Sequence, residues 1–393
     1  VSAILDKLLK GQKVEWNKLE NVFDIIAGGD VPKNAFSDIE TDEYNIPILS
    51  NGIGEKSLYG WTNKAKINSR SLTISARGTI GWTSYQEKPF FPIVRLIVLT
   101  PKIKINLKFA YYFMKLIENN YNVSKSGIPQ LTKPMIKDIE IPIPPLDVQA
   151  EIVRILDAFT AITAELTAEL TAELNMREKQ YQYYRDKLLT FSDNEIIWKN
   201  LGELGKLIRG NGLQKSDFTE DGFPAIHYGQ IYTFYGTFAD KTKSFVSENL
   251  AKKLKKAQNG DVLLAGTSEN IQDVMKPLGW LGNEIAISGD MFAYRPNTEL
   301  DTKYLTYLLQ TTEFQKYKEK YAHGTKVTRL NAEKFLRFKI AIPPLNEQKR
   351  IANILDKFET LTHSITEGLP KEIALRQRQY EYYREQLLDF AKN

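Results

Sequence analysis

The chain repeats itself, and that constrains its fold more than any other feature. Pro144-Pro145-Leu146-Asp147-Val148-Gln149 returns as Pro343-Pro344-Leu345-Asn346-Glu347-Gln348, Ile155-Leu156-Asp157-Ala158-Phe159 as Ile354-Leu355-Asp356-Lys357-Phe358, and Gln180-Tyr181-Gln182-Tyr183-Tyr184-Arg185 as Gln379-Tyr380-Glu381-Tyr382-Tyr383-Arg384, all at an offset of 199. Residues 144–191 and 343–390 align without a gap and share 22 of 48 positions, where about three would coincide by chance at average residue usage. A second match, Val14-Glu15-Trp16-Asn17-Lys18-Leu19 with Ile196-Ile197-Trp198-Lys199-Asn200-Leu201, has an offset of 182, so the second intervening region is 17 residues longer. Asp6-Lys7-Leu8-Leu9 also echoes Asp186-Lys187-Leu188-Leu189. The chain thus opens on the tail of the shared segment and closes on a complete copy, a cyclic arrangement.

The shared segments read as long helices. From Ile152 the apolar residues Ile155, Leu156, Phe159, Ile162, Leu166, Leu170, Leu174, Tyr181, Tyr184, Leu188 and Phe191 recur in steps dominated by three and four, which is one face of an amphipathic helix. Asp147 and Asn346 stand where an N-cap is expected. About 43 helical residues span about 65 Å, which suits a coiled-coil spacer better than a core helix. Inside lie three tandem units, Thr163-Ala164-Glu165-Leu166, Thr167-Ala168-Glu169-Leu170 and Thr171-Ala172-Glu173-Leu174. Their leucines Leu166, Leu170 and Leu174 satisfy the plain need for an apolar seam. A four-residue unit is also a length adjuster, worth about 6 Å with the face nearly kept. In the second copy Pro370 predicts a kinked or divided helix. Two such helices, each following its own globular region, pack most simply antiparallel around an approximate two-fold axis.

The intervening regions, 14–143 and 196–342, are alike in outline only. Short β-branched or aromatic runs such as Leu72–Trp82 and Asp261–Thr267, followed by helices expected at Lys108–Glu118 and Lys303–Lys318, indicate small α+β domains. The expected architecture is an N-terminal helical tail (1–13), a first domain (14–143), a central helical spacer (144–195), a second domain (196–342) and a C-terminal helical spacer (343–393). Each domain ends in a polar, glycine-containing basic loop, Ser124–Gly127 and His323–Arg329. Arg, Lys, Gln, Asn and Thr at loop tips are what base-edge and phosphate contacts require, although a solvated loop has the same composition. Lys252, Lys253, Lys255 and Lys256 read as a solvated helix face open to phosphate contact.

Several chemistries are missing from the sequence. There is no cysteine among 393 residues, hence no disulfide, thiolate zinc site or cysteine nucleophile. No Gly-x-x-x-x-Gly-Lys-Ser/Thr loop is present, Gly52-Ile53-Gly54 lacks the third glycine of a nucleotide fingerprint, and both Pro-Pro pairs precede leucine rather than the aromatic of an amino-methyltransferase motif. His227, His323 and His363 have no metal-ligand spacing. No apolar run reaches the roughly 18 residues of a membrane span, and the first ten residues lack a signal-peptide pattern. No membrane partner and a cytoplasmic location are therefore expected. The net charge of +5 permits nucleic acid as a partner without requiring it.

A tryptophan strand, a variable domain, a Pro-Pro-Leu segment opening a long helix, and then the same series again resemble the specificity subunit of type I restriction–modification systems. The match runs over essentially the whole length, and members with tandem Thr-Ala-Glu-Leu repeats before the Tyr-x-Tyr-Tyr-Arg run are the most similar. The resemblance implies a non-catalytic DNA-reading subunit, in which two target-recognition domains each read half of an asymmetric bipartite site in double-stranded DNA. The helices would set the unspecified gap and dock two methyltransferase subunits, and restriction subunits would join that core. No cofactor is implied for this chain; S-adenosylmethionine, ATP and Mg²⁺ belong to the partner subunits, which flip and methylate an adenine.

Loop chemistry selects Arg77, Thr79, Lys125, Ser126 and Gln130 for DNA contact in the first domain. In the second it selects Arg209, Asn211, Gln230, Tyr232, Thr267, Asn270, Lys326 and Arg329. Tyr183-Tyr184-Arg185 and Tyr382-Tyr383-Arg384 are the candidates for methyltransferase docking, with sealing of the coiled coil as the alternative use. Two other readings stay open: a tandem-domain DNA-binding scaffold or regulator acting without methyltransferase partners, and a coiled-coil adaptor that binds no specific DNA.

Overall fold

The computed structural model describes residues 2–123, 128–192, 196–324, 326–364 and 367–391. It divides into two compact units, residues 1–167 with 375–393, and residues 168–374. Each unit therefore holds one sheet-rich domain, the opening of the helix that follows it, and the closing part of the other helical segment.

In the first unit, the Trp16 strand (Glu15–Lys18) pairs antiparallel with Glu140–Ile143, so the domain's two ends are tied together. Between them an antiparallel sheet places Phe23–Ala27, Leu96–Pro101, Ser71–Ser75 and Thr83–Gln86 side by side. The helix Leu107–Ile117 is capped by Asn106, whose side chain accepts from the Lys108 and Phe109 amides. It has two buried faces. Leu107, Ala110, Phe113 and Met114 cover the sheet, while Phe109 and Tyr112 join Val148, Ile152 and Leu156 of the spacer with Leu5, Leu387, Leu388 and Phe390. The N-terminal tail (Ala3–Leu9) and the chain's last helix thus complete one core, as the cyclic arrangement requires.

The second unit repeats this plan. Ile197–Asn200 pairs with Lys339–Ile342, and Gly205–Arg209, Met291–Pro296, Val262–Ala265 and Pro277–Trp280 lie adjacent in an antiparallel sheet. A fifth strand, Phe238–Ala239, pairs parallel with Pro277–Trp280, and a second five-stranded sheet accompanies this one. The region expected as one helix, Lys303–Lys318, is two, Thr302–Leu308 and Thr312–Tyr321. Thr311 donates its hydroxyl to the last carbonyl of the first, Leu308, at 2.7 Å and caps the second, accepting from the Phe314 amide, and Asp186 takes the Thr312 hydroxyl at 2.5 Å.

The central helix runs over 43 residues, Leu146–Leu188, with Leu166, Leu170 and Leu174 half-buried. In the first unit Phe159 meets Tyr383 (centroids 5.2 Å) and Thr160 meets Tyr380 (3.1 Å), while earlier residues meet Leu387 and Leu388. Partners that descend as positions ascend mark an antiparallel pair. The second unit shows the same: Tyr181 meets His363 at 5.7 Å and Tyr184 stacks on Phe358 at 5.7 Å, the latter the counterpart of Phe159 on Tyr383. The C-terminal segment is two helices, Leu345–His363 and Gly368–Leu388. Its break precedes Pro370, which sits in the first turn of the second helix, where a missing amide hydrogen costs nothing.

Two sequence expectations are corrected here. Asp147 and Asn346 do not cap, because the helices start one residue earlier, at Leu146 and Leu345. Gln149 and Gln348 anchor the starts instead: each donates to a proline carbonyl (Pro144 at 2.7 Å, Pro343 at 2.8 Å) and accepts from the Asn106 or Asp301 amide at 2.8 Å. The lysine cluster is not a helix face. The helix stops at Ala251, and Lys256 opens a strand with its ammonium 3.6 Å from the Phe223 ring centre. Buried Leu254 and Ala257 pull this stretch inward.

Candidate nucleic-acid interface

The second domain gathers three of its sequence-selected residues around one groove of about 420 Å³, lined by Arg209, Thr267 and Arg329 together with His323, Asp290 and Asn331. Arg209 ends its strand. Thr267–Ser268 forms a short ribbon with Thr328–Arg329, Thr267 opposite Arg329. Gly266 is required at the base: a Cβ there would lie 2.9 Å from the Phe292 ring and 3.0 Å from the Asp290 carbonyl. The turn that presents Arg329 depends on Gly324, whose φ of +127° suits only glycine, and the His323 and Arg329 backbones exchange hydrogen bonds of 3.0 and 2.9 Å across it. Both guanidinium groups are exposed, and neither makes an ion pair among the described residues. Unneutralised arginines converging on one groove suit an anionic or acceptor-rich ligand.

The other selected residues of this domain support the groove or lie beside it. Tyr232 donates to the Thr267 carbonyl at 2.5 Å. Asn270 closes its own turn, accepting from the Asp273 amide and donating to its carboxylate, both at 2.8 Å. Asn211 spends its amide on Lys253 (3.0 Å) and Lys255 (2.6 Å). Gln230 completes a capping box with His227 and donates to Ser244 at 2.6 Å. Lys326 is exposed in the Gly324 turn.

Strand register aligns the two domains. Leu99 faces Ile25 and Leu72, as Tyr294 faces Leu207 and Val262. Arg77 then corresponds to Thr267. Leu131, next to Gln130, donates to the carbonyl of Ala76 at 2.7 Å, which brings exposed Gln130 beside Arg77, where Arg329 stands beside Thr267. Thr79 is committed internally, donating to the Asn51 carbonyl at 2.6 Å, while Asn51 donates to the Arg77 carbonyl at 2.5 Å. Lys125 and Ser126 lie outside the described residues. Asn51 and His323 were not selected from sequence. The His323-Gly324 pair was the available signal for the second.

Lys318 braces the Asn270 loop from below. It is 4% exposed and donates to the carbonyls of Gln272 (2.5 Å) and Val274 (3.1 Å). Burial lowers its pKa to about 8. Since an unfolded lysine titrates near 10.4, the unfolded chain holds more protons between those values, and the stability of this unit rises with pH across that interval. The expected result is that wild type gains on the order of 1–2 kcal/mol over Lys318→Met between pH 7.5 and 9.5. Denaturant melts at the two pH values check it, and a constant difference contradicts it.

The two Tyr-Tyr-Arg runs divide alike. Tyr183 and Tyr382 are 59% and 57% exposed. Tyr184 and Tyr383 pack on Phe358 and Phe159, and Arg185 and Arg384 lie against Tyr181 and Tyr380. Among the described residues no cluster of three or more His, Asp or Glu side chains could hold a metal ion, and no helix is long and apolar enough to cross a membrane.

Two sheet-rich domains of one plan, each joined to a pair of helices, define a class that known proteins share. Residues 12–176 and 195–375 match the type I restriction modification DNA specificity domain. The chain is 34% identical to the EcoR124I/EcoR124II specificity subunit of Escherichia coli, covering 99% of this chain and 97% of that one. It is 30% identical to the E. coli EcoprrI specificity subunit, with 92% of each covered. Among solved structures, a chain from work on complex assembly and conformational transition of the type I system aligns with a TM-score of 0.70 at 17% identity, over 96% and 98% of the two chains. The HsdS subunit from Thermoanaerobacter tengcongensis aligns with a TM-score of 0.52 at 16% identity, over 96% of each. The chain belongs to the type I restriction–modification specificity-subunit family.

Proposed function

We propose that this protein is the DNA-reading, non-catalytic subunit of a type I restriction–modification complex, and that its two domains read the two unlike halves of an asymmetric site. The observation that carries this reading is the pair of divergent loop surfaces, Arg77 with Gln130 and Arg209 with Thr267 and Arg329, set at corresponding places of a duplicated fold. The tandem Thr-Ala-Glu-Leu units act as a ruler for the gap, as the resemblance to repeat-bearing members suggests. Two methyltransferase subunits dock on the duplicated helical segments, with exposed Tyr183 and Tyr382 as equivalent contacts, and restriction subunits join that core. S-adenosylmethionine, ATP and Mg²⁺ reside in those partners, and the assembly works in the cytoplasm. Reconstitution with the cognate methyltransferase subunit, followed by a genome-wide map of N6-methyladenine, tests the reading.

A further inference from the structure

The cores that join each recognition domain to its spacer helix contain, besides the Gln149 and Gln348 anchors, a carboxylate cluster that the two units share. In the first, Asp157 of the central helix takes the Tyr112 hydroxyl at 2.7 Å on one carboxylate oxygen and the Lys108 ammonium at 2.8 Å on the other. In the second, Asp356 takes Tyr307 at 2.7 Å and Lys303 at 2.6 Å in the same way. The aspartates correspond at an offset of 199 and the Lys-x-x-x-Tyr pairs at 195, so the contact survives a change of length in the domain between them. Both tyrosine rings are buried, and burial with the adjacent carboxylate holds both phenols well above their ordinary pKa, as donors.

Around each cluster the packing is apolar: Phe109 against Val148, Ile152 and Leu156 in one unit, Leu305 and Leu308 near Ile351 and Leu355 in the other. Apolar contacts hold surfaces together with little directional preference. A carboxylate gripped by two donors one helical turn apart is directional. Sliding or rotating the docking helix by a turn would strand a partly buried charge.

We propose that Asp157 and Asp356 are positioning residues for gap selectivity: each clamps the docking helix of its own recognition domain at one register on the spacer helix, so that the complex accepts a single distance between half-sites. This rests on the reading of the protein as a two-headed DNA reader, and goes beyond it by assigning the gap to the clamps as well as to helix length.

The test uses the full chain, as wild type and as Asp157→Ala, each co-expressed with the methyltransferase subunit. Methylation is scored on a library carrying both half-sites at gaps from two base pairs shorter to two longer. The expected result is unchanged half-site bases with at least about a tenfold fall in preference for the wild-type gap over its neighbours. Tyr112→Phe, which removes one hydroxyl and keeps the ring, carries the same expectation in weaker form and stands in if Asp157→Ala does not accumulate. Gap preference unchanged in a folded variant overturns the proposal, even if melting temperature falls, because that is stabilisation alone. A wild-type protein without a two-part site overturns the functional reading itself, and the clamp proposal with it.

Discussion

Deleting Thr171–Leu174 moves the methylated site to a shorter gap and leaves both half-sites as they were. Four residues remove about 6 Å of helix, which is one or two base pairs at about 3.4 Å each, and they return the seam leucines to nearly the same stripe. The three units span residues 163–174. They lie outside the buried cores that join each domain to its helix: the first takes in the central helix as far as Leu156, and the second takes it in from Tyr181 onward. The deletion therefore leaves both domain-bearing cores intact. Methylation at the original site should fall toward the non-specific level, a loss of the order of 10³-fold or more, while a new gap appears at full strength. Sequencing of methylated adenines in cells carrying the deletion checks it, and an unchanged gap refutes the ruler.

The second large effect is expected from Arg209→Ala combined with Arg329→Ala. Arg209 and Arg329 are both exposed on the same groove and neither makes an ion pair among the described residues, so neither change breaks one. A bidentate arginine–guanine contact discriminates by about 1–3 kcal/mol, so the pair should weaken cognate binding by roughly 10²–10³-fold in a binding titration of the methyltransferase complex. The single variants separate the roles. An Arg329 that reads a base relaxes one position of the second half-site when removed. One that holds phosphate weakens all sequences alike and lowers the salt slope by about one. Wild-type affinity and an unchanged recognition motif in the double variant would remove this groove from the DNA interface.

The helices were legible because a long seam tolerates few substitutions. Tyr184 and Leu189 face the same kinds of neighbours as Tyr383 and Leu388, and a fixed offset of 199 is the visible trace. The tryptophan strands were legible for the same reason, since each closes its domain against the strand before a spacer. The interface was only partly legible. Asn211, Gln230, Tyr232 and Asn270 have the chemistry of base readers, yet all spend hydrogen bonds on nearby chain. A residue that braces a loop and one that faces a ligand share a composition; they differ in whether their donors are already used. Among the described residues, the Arg209 and Arg329 side chains make no hydrogen bond or ion pair. The repeat shows Asp157 and Asp356 but not their role, because their lysine and tyrosine partners repeat at a different offset that only fold and register bring together. The division at Thr311 is hidden in the sequence for a similar reason: a threonine cap inside an amphipathic run shows its role only when the helix turns away.

The most direct test of the whole account is to co-express the chain with its methyltransferase subunit in a host free of other adenine methylation and map N6-methyladenine by single-molecule sequencing. The account predicts one asymmetric motif, two short unlike half-sites separated by one fixed gap, with methylated adenine on both strands. The absence of any motif, when both proteins are soluble and the methyltransferase is active with another specificity subunit, would contradict it.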